Sequence, residues 1–428
     1  MTPKSFLFTT WEGGGNIAPA LTAARRLLAR GHRVRFMSDA CNREEAADAG
    51  VEFTPWVTAP SRPDRDPASD TVRDWEHEGP AGLLRVIEAM WVGQAQAYAQ
   101  DVIAELRREP ADLVVTSEML FGVALGCEAI GQPFCYLTAN VCFIPLPGVP
   151  PMGPGLSPAR TAADHALHAE VALGLSGLLD SALPGLNAAR AALGLPPLAR
   201  VLDQTAAARG ILLGTARAFD FAPDALPPGV RYVGPQLGEP GWTRPWVSPF
   251  EAGDRRPLVL AAFSTTFQNH TAVLQRVIDA AAALPVRLLV TLGGSIAAAD
   301  LHPAPNARLV ESAPHDAVMA QAALVVTHGG HGTVTRALSH RRPLLVIPHG
   351  RDQNDNAVRV TERGVGLSLP PTANVDELRE ALRRLLDEPA FAQAVGPLGA
   401  AVAEEAAQSP VAEALEALVP AAEPCCAA

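Results

Sequence analysis

Short, continuous apolar runs along the chain alternate with longer stretches in which apolar residues recur every three to four positions. The run "SFLFTT" is closed by glycines and followed by "IAPALTAARRLLARG", whose spacing predicts a helix and whose Gly31 predicts its end. "HRVRFMSD" predicts a second strand, and "ADLVVTS", "EMLFGVALGCEAIG" and "PFCYLT" repeat the order between residues 111 and 138. Strand, Gly-rich turn, helix, strand is the unit of a parallel sheet covered by helices, so the first half is predicted to be α/β. The order restarts at "PLVLAAFST", continues through "NHTAVLQRVIDAAAAL", "VRLLVTLGG", "ARLVES" and "HDAVMAQA", and reaches "ALVVTHGG". The region from Asp376 to about Leu418 is predicted helical, with "PVAEALEALVP" as a final amphipathic helix.

Between these elements, residues 60–80 and 143–160 are rich in Pro, Gly and charge, which predicts surface loops able to shape a ligand site. Residues 232–257 have the densest Pro, Gly and Trp with no periodicity, and predict the connection between two domains. The expected organisation is an α/β domain over 1–232, a linker over 233–257, a second α/β domain over 258–402, and a helix and tail over 403–428.

Composition narrows the function. At 428 residues the chain is long enough for two domains with full cores. Hydrophobic residues make up 48% and charged residues 18%, as in a globular protein, and the formal net charge of −11 argues against a nucleic-acid surface held by phosphate contacts. "MTPKSFLFTTWEGGG" lacks the pattern of a signal peptide. The longest apolar region is broken by Glu118 and Glu128, which argues against a membrane span, so a cytoplasmic location is expected. The six cysteines form no CxxC pair or metal-ligand spacing, and those within apolar patterns, such as Cys127 and Cys135, are expected to be core thiols.

The chemistry concentrates in "THGGHGTVTRALSHRRPLLVIPHGRDQNDNA", residues 327–357. An apolar strand runs into "HGGHGT" and then into a helix beginning near Val334, so the glycines fall where a sheet's carboxyl edge meets a helix N-terminus. Backbone N–H groups and the helix dipole converge on an anion at such a place. Gly329, Gly330 and Gly332 allow close approach, while His328 and Thr333 can donate to phosphate oxygens. A diphosphate is the expected guest; a tight turn with no ligand is the alternative. Asp352 and Gln353, at the end of the next strand, offer acceptors and donors suited to adjacent sugar hydroxyls. Phosphate donors followed by a hydroxyl reader imply a nucleotide sugar.

The same residues carry a family resemblance. "HGGHGTVTRALSHRRPLLVIPHGRDQNDNAVRV…RGVG" resembles the donor-binding signature of the inverting, nucleotide-sugar-dependent glycosyltransferases of GT-B fold, and within them the bacterial macrolide and polyketide branch. "STTFQN", "YVGP" and "GGGNIAP…LLARGHRV" agree with it across most of the chain. The resemblance implies two Rossmann-like doubly wound domains facing each other across a cleft. It places His328, Gly330, His331, Gly332 and Thr333 at the phosphate turn, and Asp352 with Gln353 at the donor sugar. Ser264 and Thr265 would reach the diphosphate, and the Ala313 backbone would meet the base, with Ser312 where plant members stack an aromatic ring. It implies no metal or other cofactor, a small hydrophobic aglycone as acceptor, and leaves a homodimer open.

Two departures from the family pattern matter. Arg336 stands eight residues after His328, where many uridine-diphosphate-sugar users place a ribose-binding Glu. Its absence favours a dTDP-deoxysugar donor, unless Arg336 is simply a solvated helix residue. Asn16 stands three residues before Pro19, where the family supplies its histidine base. Asn accepts no proton at neutral pH, so three alternatives follow: another group such as Glu118, Ser117 or Glu12 serves; the acceptor is already acidic and Asn16 positions it; or catalysis is lost and the chain binds a ligand or partner. A nucleotide-sugar epimerase, which can share the architecture, is a further alternative. The acceptor is expected between the domains, near Trp75 and Trp91, while His77, His165 and His168 are expected to be surface residues.

Overall fold

The continuous apolar runs become strands buried on both faces, as a parallel sheet with helices on each side requires. The computed structural model describes residues 2–77, 79–238, 246–263, 268–293 and 296–421. The first sheet contains β1 (Ser5–Thr9), β2 (Arg33–Ser38), β3 (Glu52–Pro55), β4 (Leu113–Thr116), β5 (Phe134–Thr138), β6 (Ile211–Leu213) and β7 (Val230–Tyr232), all parallel, in the order β3-β2-β1-β4-β5-β6-β7. The second contains β8 (Leu258–Ala262), β9 (Arg287–Thr291), β10 (Ala307–Val310), β11 (Ala322–Thr327), β12 (Leu344–Val346) and β13 (Gly366–Ser368), all parallel, in the order β10-β9-β8-β11-β12-β13. In each sheet the order reverses beside the first strand, and the loops leaving β1 and β4, or β8 and β11, open a crevice at the carboxyl edge.

Each sheet has a core on both faces. In the first domain, Leu7, Val114 and Tyr136 face the helices Ala95–Arg108 and Phe121–Ala129, while Phe6, Phe8 and Val115 face the helix Ile17–Ala29. Val259 and Leu345 on one face, and Leu260 and Leu344 on the other, repeat the pattern in the second.

The C-terminal boundary differs from expectation. Residue 402 falls inside the helix Pro389–Ala407, and the last helix, Val411–Leu418, crosses back onto the first domain. Val411 and Leu415 join that domain's core, and Arg30 pairs with Glu413 and Glu416 at 2.7 and 2.6 Å. The segments 60–80 and 143–160 are also more firmly held than surface loops need be. Arg62, Asp70 and Val72 are buried in the first, and Ile144 and Leu146 in the second.

Both segments reach the second domain. Asp74 receives the Arg351 guanidinium in two bonds, at 2.7 and 2.8 Å. The Gly153 amide donates to Asp355 at 2.7 Å, the Asn354 side chain donates back to the Gly153 carbonyl at 3.1 Å, and Arg160 pairs with Glu362 at 2.6 Å. The helix Gln353–Glu362 of the second domain is thereby clasped by loops of the first. Burial pushes the Asp355 carboxyl up to about 7, against the Gly153 amide and Arg359, which favour its charge. A carboxyl whose folded value lies above its unfolded one contributes stability at low pH and loses it as pH rises through about 7. Asp355→Asn is therefore expected to gain stability relative to the parent between pH 5 and pH 8, on the order of 2 kcal/mol, in denaturant melts across pH. A parent that is equally stable at both pH values and indistinguishable from the variant would contradict this.

Candidate active site

The turn expected to hold phosphate forms because β11 delivers its end to an open helix. After Thr327, Gly329 takes a φ of 96°, and a side chain there would come within 2.7 Å of Val346. A Cβ on Gly330 would stand 2.7 Å from His328 Nε2, so glycine leaves the imidazole its place over the turn. The helix His331–Ser339 follows with no capping side chain and no acidic residue in its first turn. Its free N–H groups and positive dipole end are left for an anion. Gly332 is exposed and Thr333 half-buried, so both are within a ligand's reach. His328 is buried beside Thr327 and Phe263, and burial pushes its imidazole down to about 3, with His349 and Arg351 adding to the shift. It is neutral without a ligand.

His331 is placed differently from the other residues of the turn. It is buried, and its Nδ1 lies 2.9 Å from Asn356 Oδ1, while the Asn356 amide donates to the Gly329 carbonyl at 2.9 Å and to Asp352 at 3.0 Å. The ring packs on Phe219 and ties the loop after β11 to the loop after β12. Burial holds Asp352 above the usual carboxylate range, opposed by His331, Asn356 and the Val141 amide of the first domain. Gln353 accepts from the His349 amide and donates to Gln268, both at 2.7 Å, and so braces the loops after β12 and β8. Asp352 and Gln353 are thus held at the crevice by their neighbours. Ala313 is buried after β10, with Ser312 half-buried beside it. Ser264 and Thr265 lie outside the described residues.

Arg336 is not solvated. It is 8% exposed, donates to the Gly238 carbonyl at 2.7 Å, and pairs with Asp316 at 2.5 Å. The guanidinium ties the linker to the helix His315–Met319, which follows the Ala313 loop.

Across the cleft, Asn16 and Ser117 line one narrow crevice with Thr10, Pro19 and Ala139 at the carboxyl edge of the first sheet. Asn16 stands at the N-cap position of the helix Ile17–Ala29 but makes no cap bond; its Oδ1 accepts a long 3.5 Å bond from Asn140. Glu118, just past β4, is 1% exposed. Its Oε2 accepts from the Ser117 hydroxyl at 3.4 Å, and its Oε1 has no partner. Burial pushes this carboxyl up to about 8, and the negative charge of Asp352 across the cleft adds to the rise. Glu12 is already engaged: it pairs with Arg65 at 3.1 Å and accepts from the Gly14 amide at 2.8 Å.

The expected aromatic wall is divided. Trp91 is 5% exposed and stacks on Phe143 at 5.2 Å, so it backs the wall from within the first core. It ends a π-helical turn, Ile87–Trp91, of a kind that often marks functional sites. Trp75 is half-buried in the turn that carries Asp74. His77 and His165 are exposed, and His168 meets the Ser157 carbonyl at 3.0 Å. Three residues at the site were given no role from the sequence: His270, and His349 and Arg351, which lie inside the 327–357 stretch itself. The two imidazoles sit after strands at the same sheet edge as His328, a position readable only once the strand order is known.

Among the described residues, no group of three His, Cys, Asp or Glu is arranged to hold a metal, and no single helix is long and apolar enough to cross a membrane. A bent pair, Ala162–Asp180 with Leu183–Ala192, passes the same length and composition test only when taken together.

The family model "Erythromycin biosynthesis protein CIII-like, C-terminal domain" matches residues 275–418. The chain is 27% identical over 405 residues to "4'-demethylrebeccamycin synthase" of Lentzea aerocolonigenes, covering 90% of this chain and 92% of that protein. It superposes on the solved "glycotransferase of kitacinnamycin" with a TM-score of 0.76 at 20% identity, over 98% of this chain and 99% of the other. With the "glycosyltransferase VinC in complex with DTDP" the TM-score is 0.65 at 20% identity, over 97% and 98%. These two solved structures share the architecture of paired parallel-sheet domains described above.

Proposed function

From the premise that the chain is a GT-B glycosyltransferase of natural-product type, we propose that it moves a deoxysugar from a dTDP donor to a small lipophilic acceptor with inversion and without a metal. One observation carries this reading: beside the anion-ready turn at His328–Thr333, Asp352 of the next loop lies near enough to act on a buried carboxyl of the first domain, Glu118, that has an unpartnered oxygen.

In the proposed reaction the diphosphate rests on the N-terminus of the helix His331–Ser339, where His328 and Thr333 donate to its oxygens. Asp352 and Gln353 hold the sugar hydroxyls. The acceptor hydroxyl attacks the anomeric carbon from the side of the first domain as the bond to the diphosphate breaks. Glu118, ionised, takes the hydroxyl's proton; Asn16 and Ser117 orient the acceptor. A carboxyl raised to about 8 is a stronger base when ionised than an ordinary one, which suits it to replace the missing histidine. Glu12 is less suited, because Arg65 and the Gly14 amide already hold it.

The thymidine preference is supported by Arg336. A guanidinium held by Asp316 and the Gly238 carbonyl stands where a ribose-binding Glu would be. VinC, bound to dTDP in its solved structure, is consistent with the same donor class.

The test is product formation. The protein is incubated with α-linked dTDP-deoxysugars or UDP-glucose and a panel of polyketide aglycones, and products are read by mass and by anomeric coupling. A β-linked glycoside from a dTDP donor is expected. Turnover only with UDP-glucose would overturn the donor assignment, and an α-linked product would overturn inversion.

A further inference from the structure

The donor edge holds more imidazole than the phosphate turn uses. Three strand-to-helix loops of the second sheet each contribute a ring: His270 after β8, His328 after β11 and His349 after β12. His270 lies 4.4 Å from His349, edge to face, and 5.5 Å from His328, with Phe263 within 6.2 Å of all three.

His270 is the anomaly. It is 1% exposed, and neither ring nitrogen has a hydrogen-bond partner. It stands at the N-cap position of the helix Thr271–Ala282 but makes no capping bond. A neutral imidazole carries one donor and one acceptor, and buried polar groups are nearly always paired. A phenylalanine would give the same edge-to-face packing with nothing left unsatisfied. By contrast, His349 has the Ile347 carbonyl at 2.8 Å and His328 has Thr327 at 3.4 Å.

The surrounding charges indicate what the missing partner is. Those acting on the cluster are cationic: Arg351, whose guanidinium Asp74 also holds, on His270 and His328, and Arg276 on His349. Among the described residues no carboxylate faces the rings as an ion-pair partner, and none joins them in a metal-holding group. An anion entering at the N-terminus of the helix His331–Ser339 would complete the arrangement; a cation would not.

We propose that His270, backed by His349, is a further donor-binding residue that donates an N–H to the nucleotide diphosphate opposite His328, and that the diphosphate draws a proton from solvent onto this cluster as it binds. This rests on the donor reading above. No covalent bond changes: the imidazole gains the proton on binding and returns it when the diphosphate leaves.

The experiment is calorimetry of dTDP binding to the full chain and to His270→Phe, at pH 7.5 in two buffers of different ionisation enthalpy. The variant keeps the ring packing and removes both nitrogens. Expected are net proton uptake by the parent, smaller uptake by the variant, dTDP affinity lowered about tenfold or more, and unchanged thymidine affinity. Equal uptake and affinity within twofold would overturn the inference while leaving the donor reading intact. A parent that binds no dTDP would overturn both. If His270→Phe fails to fold, ring nitrogen shifts of the parent are followed by NMR during dTDP addition: movement of the His270 signals supports the assignment, and constancy refutes it.

Discussion

Glu118→Gln is expected to lower kcat by about 10²–10⁴-fold, the range for losing a general base, with dTDP affinity within about twofold of the parent. The substitution preserves size and the Ser117 contact but removes the ability to take a proton. The pH profile makes the prediction specific. Burial pushes the carboxyl up to about 8, so the parent's kcat/KM should climb with pH and level off above about 8, while the variant's residual rate lacks that limb. Stability moves the other way. A folded value above the unfolded one means a contribution that is lost as pH rises through about 8, so the amide should be at least as stable as the parent in alkali. A slow but stable enzyme therefore separates a catalytic role from a structural one. A variant with parental kcat and an unchanged profile would remove Glu118 from the reaction and leave an acidic acceptor oriented by Asn16.

His328→Ala is expected to weaken dTDP binding about 10–150-fold, the range for one hydrogen bond to a charged group, and to leave thymidine binding unchanged. The argument is local. The Gly330 backbone leaves room for the imidazole, and the helix behind it carries no acid that could compete with a phosphate. The substitution should also relieve acid sensitivity. Burial pushes His328 down to about 3, below its ordinary 6.5, so the folded parent loses stability as pH falls from about 6.5 towards 3, and the variant loses less. Titration calorimetry with dTDP and thymidine checks the first part, and melts between pH 4 and 7 check the second. Equal loss of thymidine and dTDP binding would point to a collapsed domain and not to a missing phosphate contact.

The two sheets and the strand-to-helix turns were legible in the sequence because parallel strands buried on both faces leave unbroken apolar runs, and glycines mark where they stop. The signature from His328 to Gln353 was legible for the same reason: it occupies two successive turns of one sheet. The rest depended on contacts between loops distant in sequence. His331 falls in the phosphate motif, yet its ring turns inward to Asn356 and links two turns. Arg336 lies on a helix with a polar composition, yet Asp316 and Gly238 bury it. Asp74 sits in a Pro-rich stretch that predicts an exposed loop, and nothing in its neighbourhood along the chain reveals Arg351 as its partner. Trp91 satisfies the description of a cleft aromatic and of a core aromatic equally well, and only the stacked Phe143 decides between them. His270 directly follows "STTFQN", yet the ring acquires meaning only when β8, β11 and β12 bring three imidazoles to one edge.

The central claim is that this edge receives a thymidine diphosphate. It is tested most directly by a thermal-shift titration of the purified chain with dTDP and with UDP, since a ligand that binds only the folded state stabilises it by about 2.7 kcal/mol at a hundred times its Kd. A clear, saturable rise in Tm with dTDP and a weaker one with UDP is the predicted result. No shift with either nucleotide would contradict the account and leave the loop after β11 as a turn without a ligand.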